Sequence, residues 1–245
     1  MKNFRRNLVL FLRSIIKSEP DIFSPHGVPI YIPSTANKLL RYNLALNKPY
    51  ESEEAEFVKC FLPPNQDVIE LGGCYGVISA LVREMLLDEF RLIVVEANKS
   101  LIDICENNAS RMHTKSETHV LNAAIAYSNS QPVYFHEGSN PHNSSISSDK
   151  FMGVEIQTIT LGSIVQRYAV NSFTLVCDIE GHELDLIKYE SEKLAKASVI
   201  IIETHPHLYP LGLQDQSLLI SDIKQIGFEL VAIKNDVCVF EKSRN

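Results

Sequence analysis

The stretch DVIELGGCYG, residues 67 to 76, joins an apolar strand to a glycine-bearing turn, and the helical pattern VISALVREMLL follows it directly. A strand, a tight turn and a helix in that order form a corner. Free backbone amides at the start of the helix attract an anionic or polar ligand there. The segment therefore predicts the ligand-binding corner of an α/β domain.

Strands and helices alternate beyond this corner, which predicts a parallel sheet covered on both faces. Helical patterns at 76–88, 99–112, 161–170 and 183–196 largely separate the β-rich runs DVIEL, RLIVVE, THVLNAAIA, FTLVCDIE and VIIIETH. Only KND joins the last two runs, FELVAI and VCVFEK, so they form an antiparallel hairpin. The predicted fold is a doubly wound, mostly parallel α/β sheet of seven strands that closes with this hairpin.

Residues 1 to 64 differ from this pattern and predict a small N-terminal cap before a main domain over 65–245. The cap contains a short strand pair in HGVPIYIP and a polar helical lead-in from Tyr42 to Leu62. Apolar residues in the first 18 recur at helical spacing beside basic ones, and Arg13 interrupts them, unlike in a signal peptide. Two readings stay open: peripheral contact with an anionic membrane through residues 1 to 18, or a helix docked on the body with a basic outer face.

The charge distribution is uneven along the chain. The net charge is −7, yet all five charged residues before Glu19 are basic, so the remainder carries −12. An acidic body argues against nucleic acid as a partner. The five cysteines form no CxxC pair and are odd in number, which indicates a reducing, cytoplasmic compartment.

The glycines of the corner separate two classes of adenosine ligand. Gly72, Gly73 and Gly76 give a close turn without the G-x-G-x-x-G register that a dinucleotide pyrophosphate needs. A ligand without a pyrophosphate needs only the turn and an acid near its cationic groups, and Glu70 is placed to be that acid. Glu96 ends the next strand, where a carboxylate can accept both hydroxyls of an adenosine ribose.

Five segments of the chain form an ordered set. They are DVIELGGCYG, VVEANKSLIDICENNAS, VLNAAIA, TLGSIVQRYAVNSFTLVCDIEGHELDLI and VIIIETHP. In order and spacing they resemble the FkbM family of S-adenosylmethionine-dependent O-methyltransferases, which have the class I methyltransferase fold. The likeness covers about residues 50 to 240, and CDIEGHE, close to the family's D-x-E-G-x-E, is its most specific part.

The resemblance implies S-adenosylmethionine as cofactor and a site residue for each part of it. It places Glu96 on the ribose, Asn122 and Ala123 beside adenine, and Asp178 and Glu180 near the transferred methyl group. The methionyl end is assigned to the corner, namely Glu70, Gly72, Gly73, Cys74 and Gly76. The family usually has alanine and asparagine at Gly73 and Cys74, so a thiol near the methionyl end is a departure.

Catalysis of methyl transfer needs aligned reactants and a group that removes the acceptor's proton. His205 is the candidate base, because an imidazole accepts a proton near neutral pH, with Asp178 to orient the acceptor or the cofactor. No metal ligand spacing is evident, although Asp178, Glu203 and His205 form a set that suits magnesium, manganese or iron.

The acceptor implied by the family is a hydroxyl, and the first choice is a sugar of a cell-surface polysaccharide or glycolipid precursor. The stretch HEGSNPHNSSISSDK, residues 136 to 150, predicts a loop that presents polar groups to such an acceptor. Two alternatives stay open: a catalytically silent relative that keeps the cofactor site, and an NAD-dependent oxidoreductase.

Overall fold

A computed structural model describes residues 2–112, 116–127, 133–136, 145–147 and 153–243 of the chain. From residue 52 onward, helices largely separate the longer strands, and a run of short strands lies between residues 124 and 159. The helices are α1 Lys2–Ile16, α2 Lys38–Ala45, α3 Ser52–Phe61, α4 Val77–Met85, α5 Ile102–Ser110, α6 Leu161–Arg167, α7 Glu183–Leu194 and α8 Leu213–Gln225, with a 3₁₀ turn at Lys99–Leu101. The strands are β1 Ile22–Phe23, β2 Ile30–Tyr31, β3 Asp67–Leu71, β4 Leu92–Glu96, β5 Thr118–Asn122, β6 Ala124–Ile125, β7 Val133–His136, β8 Ser145–Ser147, β9 Val154–Ile156, β10 Thr158–Ile159, β11 Phe173–Cys177, β12 Ala197–Glu203, β13 Phe228–Lys234 and β14 Val237–Lys242.

The main sheet has seven strands in the order β13-β14-β12-β11-β3-β4-β5. The pairs from β12 to β5 are parallel, and β14 runs antiparallel to both of its neighbours. The predicted doubly wound sheet and its closing hairpin are therefore confirmed. Strand order reverses at β3, which lies between β4 and β11, and ligands of open parallel sheets bind at such a point.

Two sequence-based expectations about the elements are wrong in detail. THVLNAAIA is not one strand, because the chain leaves the main sheet after Asn122, and Ala124–Ile125 pairs with β10 in a separate two-stranded sheet. The lead-in from Tyr42 to Leu62 is two helices, interrupted by left-handed backbone at Asn47 and Glu51.

The stretch from 136 to 150 is only partly described. Ser145–Ser147 forms a strand that pairs with β7, so the prediction of a continuous loop is wrong there. Residues 137–144 and 148–150 lie outside the described residues.

Successive side chains of the central strands lie on opposite faces of the sheet and divide the core into two layers. Val68 belongs to the layer under α4 and α5, whereas Ile69 and Leu71 belong to the layer under α6, α7 and α8. All three side chains are fully buried. Because helices cover both faces of the sheet, polar side chains of the strands can reach a ligand only at the strand ends.

The ends of β3 and β11 lie unusually close together. Asp178 N donates a hydrogen bond to Leu71 O over 2.8 Å, and Gly72 follows with a φ of +96°. A Cβ atom added at Gly72 would lie 1.7 Å from the carbonyl oxygen of Asp178. Only glycine permits this approach, which brings the turn after β3 against the segment after β11.

The N-terminal region packs on the sheet domain through α3 and the β1-β2 pair. Asn108 of α5 joins the two parts, because its Nδ2 donates to Tyr31 O and its Oδ1 accepts from Tyr31 N. The first helix, α1, lies beside α2 and turns its apolar side chains outward. The reading in which α1 docks with a basic outer face is therefore wrong, whereas the division at residues 64 and 65 stays a prediction.

We expect Gly72→Ala to destabilise the protein by more than about 4 kcal/mol, because the new Cβ cannot coexist with the Asp178 carbonyl. The matched control is Gly227→Ala, which has a similar φ of +97° but nothing within 4 Å of the added atom. The control should cost only about 1–2 kcal/mol from left-handed backbone strain. Urea unfolding of both variants measures the difference, and equal losses would contradict the steric account.

Candidate active site

The turn after β3 is held by backbone hydrogen bonds to the neighbouring strand. The amides of Gly72 and Gly73 both donate to Val95 O, over 2.9 and 3.1 Å. Gly76, with a φ of +72°, is the N-cap of α4. Cys74 also has a left-handed φ, of +46°, a conformation that asparagine adopts more readily than cysteine. This left-handed backbone explains why asparagine is usual at this position in the family that the sequence resembles.

Glu96 closes this turn from the end of β4. Its Oε2 accepts from Cys74 N over 2.7 Å and its Oε1 accepts from Asn98 N over 2.6 Å. Burial raises the pKa of Glu96, although these backbone donors oppose the shift. Each carboxylate oxygen has a second lone pair, so the predicted contact with ribose hydroxyls remains compatible with both bonds.

Glu70 lies within the core layer rather than on the open face of the turn. Its side chain is 2% exposed, and its Oε2 has no hydrogen-bond partner among the described residues. Burial raises the pKa of Glu70 to about 8, while a hydrogen bond with Ser79 opposes the shift. Its predicted role toward a methionyl amino group would therefore need a bridging water.

The two residues predicted beside adenine lie at the end of β5. Asn122 Nδ2 donates to Glu96 O and Ala97 O over 3.0 and 3.1 Å. Ala123 N donates to the same Glu96 carbonyl over 3.2 Å. Asn122 thus ties the ends of β4 and β5 together, a structural role that the sequence did not indicate, and its contact with adenine stays a prediction.

His205 follows β12 and is oriented by a buried carboxylate. Its Nδ1 lies 2.9 Å from Oε1 of Glu183, and its backbone N–H donates to the Tyr209 hydroxyl over 3.0 Å. That hydroxyl donates to Oε2 of Glu183 over 2.9 Å. Because Nδ1 is engaged with Glu183, the ring presents Nε2 to the open side of the site.

The two acidic residues after β11 face this Nε2 atom. Asp178 Oδ1 lies 3.4 Å from it and Glu180 Oε2 lies 3.5 Å from it. Asp178 Oδ1 is buried and has no hydrogen-bond partner among the described residues. Glu180 has a left-handed φ of +49°, a strained conformation of the kind that functional sites retain. The structure therefore brings together all three predicted catalytic residues.

The pKa values within this cluster depend on one another. Burial lowers the pKa of His205, but the hydrogen bond to Glu183 and the charges of Glu183, Asp178 and Glu180 together raise it to about 9. Burial raises the pKa of Glu183, but its bond with His205 and the imidazolium charge hold it below its ordinary value. A pKa in this range favours the imidazolium form of His205 at neutral pH.

The two carboxyl groups that face Nε2 have raised pKa values, whereas the pKa of Glu183 is lowered. Burial and the charge of Glu203 raise the pKa of Asp178 to about 8. Burial also raises the pKa of Glu180, to about 7. Charge on the two groups is thus only partly balanced by one imidazolium, and a ligand with a positive charge would be stabilised beside them.

A cavity of about 520 Å³ opens in front of this cluster. The N-terminal region supplies one wall through Tyr50, Glu51 and Glu54, and β12 supplies Glu203. Among the described residues, neither lysine nor arginine lines it. Burial raises the pKa of Glu51 to about 8 and that of Glu54 above its ordinary range. Its seven acidic lining residues are Glu51, Glu53, Glu54, Asp178, Glu180, Glu203 and Asp236.

A divalent cation could be held by part of the cluster. One ligand atom each from Asp178, Glu180 and His205 lies within 4.8 Å of the others. The metal set predicted from the sequence contained Glu203 in place of Glu180. Among the described residues, Glu203 does not belong to the group of ligand atoms around Asp178 and His205. Glu203 instead contributes negative charge from the wall of the cavity.

Three contributors to the site were missed by sequence reasoning. Glu183 is the last acid of the D-x-E-G-x-E match, and that position could have identified it. Tyr209 lies four residues after His205 without any motif. Glu51 stands in the predicted cap, far from the site in sequence, and only the fold brings it there.

A family model described as the methyltransferase FkbM domain matches residues 70–229, which are 160 of the 245 residues. The chain belongs to the FkbM methyltransferase family. The match covers the turn after β3, the ends of β4 and β5, and the whole cluster around His205. It confirms the predicted family, and with it an S-adenosylmethionine-dependent methyltransferase. The curated proteins contain no match to this FkbM-family chain.

Solved structures similar to this FkbM-family chain include several methyltransferases. An O-methyltransferase from Bacillus cereus in complex with SAH is 14% identical, with a TM-score of 0.47 over 88% of this chain and 93% of that chain. A methyltransferase from Pyrococcus furiosus is 12% identical, with a TM-score of 0.46 over 98% of each chain. Precorrin-6y C5,15-methyltransferase from Geobacter metallireducens is 8% identical, with a TM-score of 0.46 over 78% and 87%. These likenesses are too low to carry an argument about the acceptor.

We expect Glu183→Gln to lower the pKa of His205, because the amide removes the negative charge that favours the imidazolium. Titration of the His205 ring protons by NMR should give a value near 9 in the parent chain and a clearly lower value in the variant. Glu192→Gln is the matched control, since Glu192 is exposed on the same helix. An unchanged His205 titration in Glu183→Gln would contradict the assigned pair.

Proposed function

We propose that this chain transfers a methyl group from S-adenosylmethionine to a sugar hydroxyl of a cell-surface polysaccharide or glycolipid precursor. The observation that carries the proposal is the orientation of the His205 ring. Glu183 holds the ring through Nδ1, and Nε2 faces Asp178 and Glu180. This cluster lies at the strand ends next to the glycine turn, where the cofactor of the family is expected.

The transfer is an in-line displacement at the methyl carbon. When bound, S-adenosylmethionine would supply a methyl group on a sulfonium sulfur, and the acceptor oxygen would displace that sulfur, which keeps the bonding electron pair as S-adenosylhomocysteine. Nε2 of His205 takes the hydroxyl proton, and Glu183 stabilises the imidazolium that results. Asp178 and Glu180 would balance the charge of the sulfonium, and its repulsion would lower the pKa of His205 and favour the neutral imidazole that acts as base.

The lining of the cavity supports an uncharged, hydroxyl-rich acceptor. Carboxyl groups such as those of Glu51 and Glu203 have oxygens that accept hydrogen bonds from sugar hydroxyls. The seven acidic residues would repel a phosphate or carboxylate next to the reacting hydroxyl. The acceptor is therefore neutral around the methylated position, and any phosphate of a precursor lies outside the cavity.

The proposed compartment is the cytoplasm, at the inner face of the membrane where lipid-linked precursors are assembled. Among the described residues, no helix has the length and apolarity that crossing a bilayer requires. A glycan or small molecule is the proposed acceptor. The charge of −12 on the chain beyond residue 18 argues against nucleic acid as a partner.

We expect calorimetry to detect micromolar binding of S-adenosylmethionine and S-adenosylhomocysteine and no binding of NAD. With radiolabelled cofactor and a panel of hexoses and nucleotide sugars, His205→Asn should lose about 100-fold or more in transfer rate while it still binds the cofactor. The control is Glu192→Gln, exposed and distant from the cavity. Cofactor binding without transfer to any acceptor would indicate the silent relative, and NAD binding would indicate the oxidoreductase.

We expect methyl transfer to proceed at an unchanged rate after treatment with EDTA. In this mechanism His205 supplies the proton acceptor and the carboxylates balance the sulfonium, so a divalent ion is not required. The measurement compares initial rates before and after chelation, and again after addition of magnesium or manganese. A loss that either ion restores would contradict the metal-free mechanism and indicate that Asp178, Glu180 and His205 hold a cation.

A further inference from the structure

Helix α1 presents its apolar side to the outside of the protein. Apolar residues at spacings of four, three and four, namely Phe4, Leu8, Phe11 and Ile15, form one face of the helix. Their exposed fractions are 73%, 44%, 60% and 65%. A surface helix of a globular protein ordinarily buries such a face, so this one lacks the covering that its apolar area favours.

The orientation of α1 is fixed by its opposite side. Arg13 Nε donates to Pro20 O over 2.8 Å, and a second guanidinium nitrogen donates to Ile22 O. The same guanidinium lies 4.1 Å from the centre of the buried Phe23 ring. Val9 and Leu10 are half-buried on this inner side. The helix is thus anchored with its apolar face outward.

The charge around the apolar face is positive. Arg5 and Lys17 are exposed near the two ends of the helix, and Arg6 is half-buried. The chain has no acidic residue before Glu19, whereas the rest of the protein is strongly acidic. Fifteen residues of helix extend only about 22 Å, which is too short to span a bilayer.

We propose that α1 binds the surface of an anionic lipid bilayer, with Phe4, Leu8, Phe11 and Ile15 among the acyl chains and the basic residues at the headgroups. Helices of this composition lie in the plane of the interface. A second copy of the chain fits less well, since each α1 would bring only basic residues to the contact and no acid to pair with them. This inference goes beyond the proposed reaction and does not depend on it.

The test is flotation of the full chain with liposomes in a sucrose gradient. The probes are vesicles of phosphatidylcholine alone and vesicles with one third phosphatidylglycerol, at low and high salt. We expect the parent chain to float only with the anionic vesicles and to be released by salt. Phe11→Ser combined with Ile15→Ser should bind at least about tenfold more weakly, because two anchoring side chains are lost.

Two further variants separate charge from apolar area. Arg5→Gln combined with Lys17→Gln should weaken binding by about fivefold for each charge removed. Leu213→Ser combined with Leu218→Ser is the matched control, since these leucines of α8 are 69% and 51% exposed, and its flotation should equal that of the parent. Circular dichroism and calorimetry with S-adenosylmethionine verify that each variant is folded.

Three outcomes would overturn the proposal. The first is a parent chain that remains at the bottom of the gradient with anionic vesicles at low salt. The second is equal flotation of Phe11→Ser with Ile15→Ser and of the Leu213→Ser with Leu218→Ser control. The third is a dimer, detected by sedimentation without lipid, that Phe11→Ser with Ile15→Ser dissociates, which would assign the face to a second copy. None of these results depends on methyl transfer, so failure of the proposed reaction remains distinguishable.

Discussion

The contact between the ends of β3 and β11 is the constraint on which the site depends. The hydrogen bond from Asp178 N to Leu71 O and the absence of a side chain at Gly72 let the two strand ends meet. The cofactor turn and the acidic segment that begins at Asp178 therefore share one location, although about 100 residues separate them in the sequence. A donor bound at the turn would then lie beside the groups that are proposed to act on the acceptor.

The acidic residues of the site lower the stability of the folded protein, and the rest of the fold offsets that loss. Asp178, Glu180 and Glu51 lie close together with raised pKa values, and Glu180 and Glu51 also adopt left-handed backbone. Such strain and repulsion persist only where the surroundings over-determine the conformation. The two buried core layers on either side of the sheet provide that rigidity. A cationic cofactor relieves part of the repulsion, so the site is arranged for its ligand and not for stability.

The sequence predicted the sheet well because periodicity and turn length are local properties. KND between two β-rich runs permits only a hairpin, and the structure has one. Glu51 could not be predicted as a site residue, because its place depends on how α3 packs against β12 and β14. Asn122 was assigned to adenine from family likeness, whereas its bonds to two carbonyls follow from the exact register of β4 and β5. Local patterns thus identify the elements, and tertiary contacts decide the partners.

The orientation of α1 illustrates the same limit more sharply. The spacing of Phe4, Phe11 and Ile15 defines an apolar face but contains no information on whether that face points inward or outward. Arg13 decides it, because its guanidinium reaches the carbonyls of Pro20 and Ile22 and the Phe23 ring from the opposite side. The residue that distinguishes this segment from a signal peptide is therefore also the one that leaves its apolar side uncovered. A charge that interrupts an apolar stretch can thus be the anchor that directs the apolar face of a helix outward.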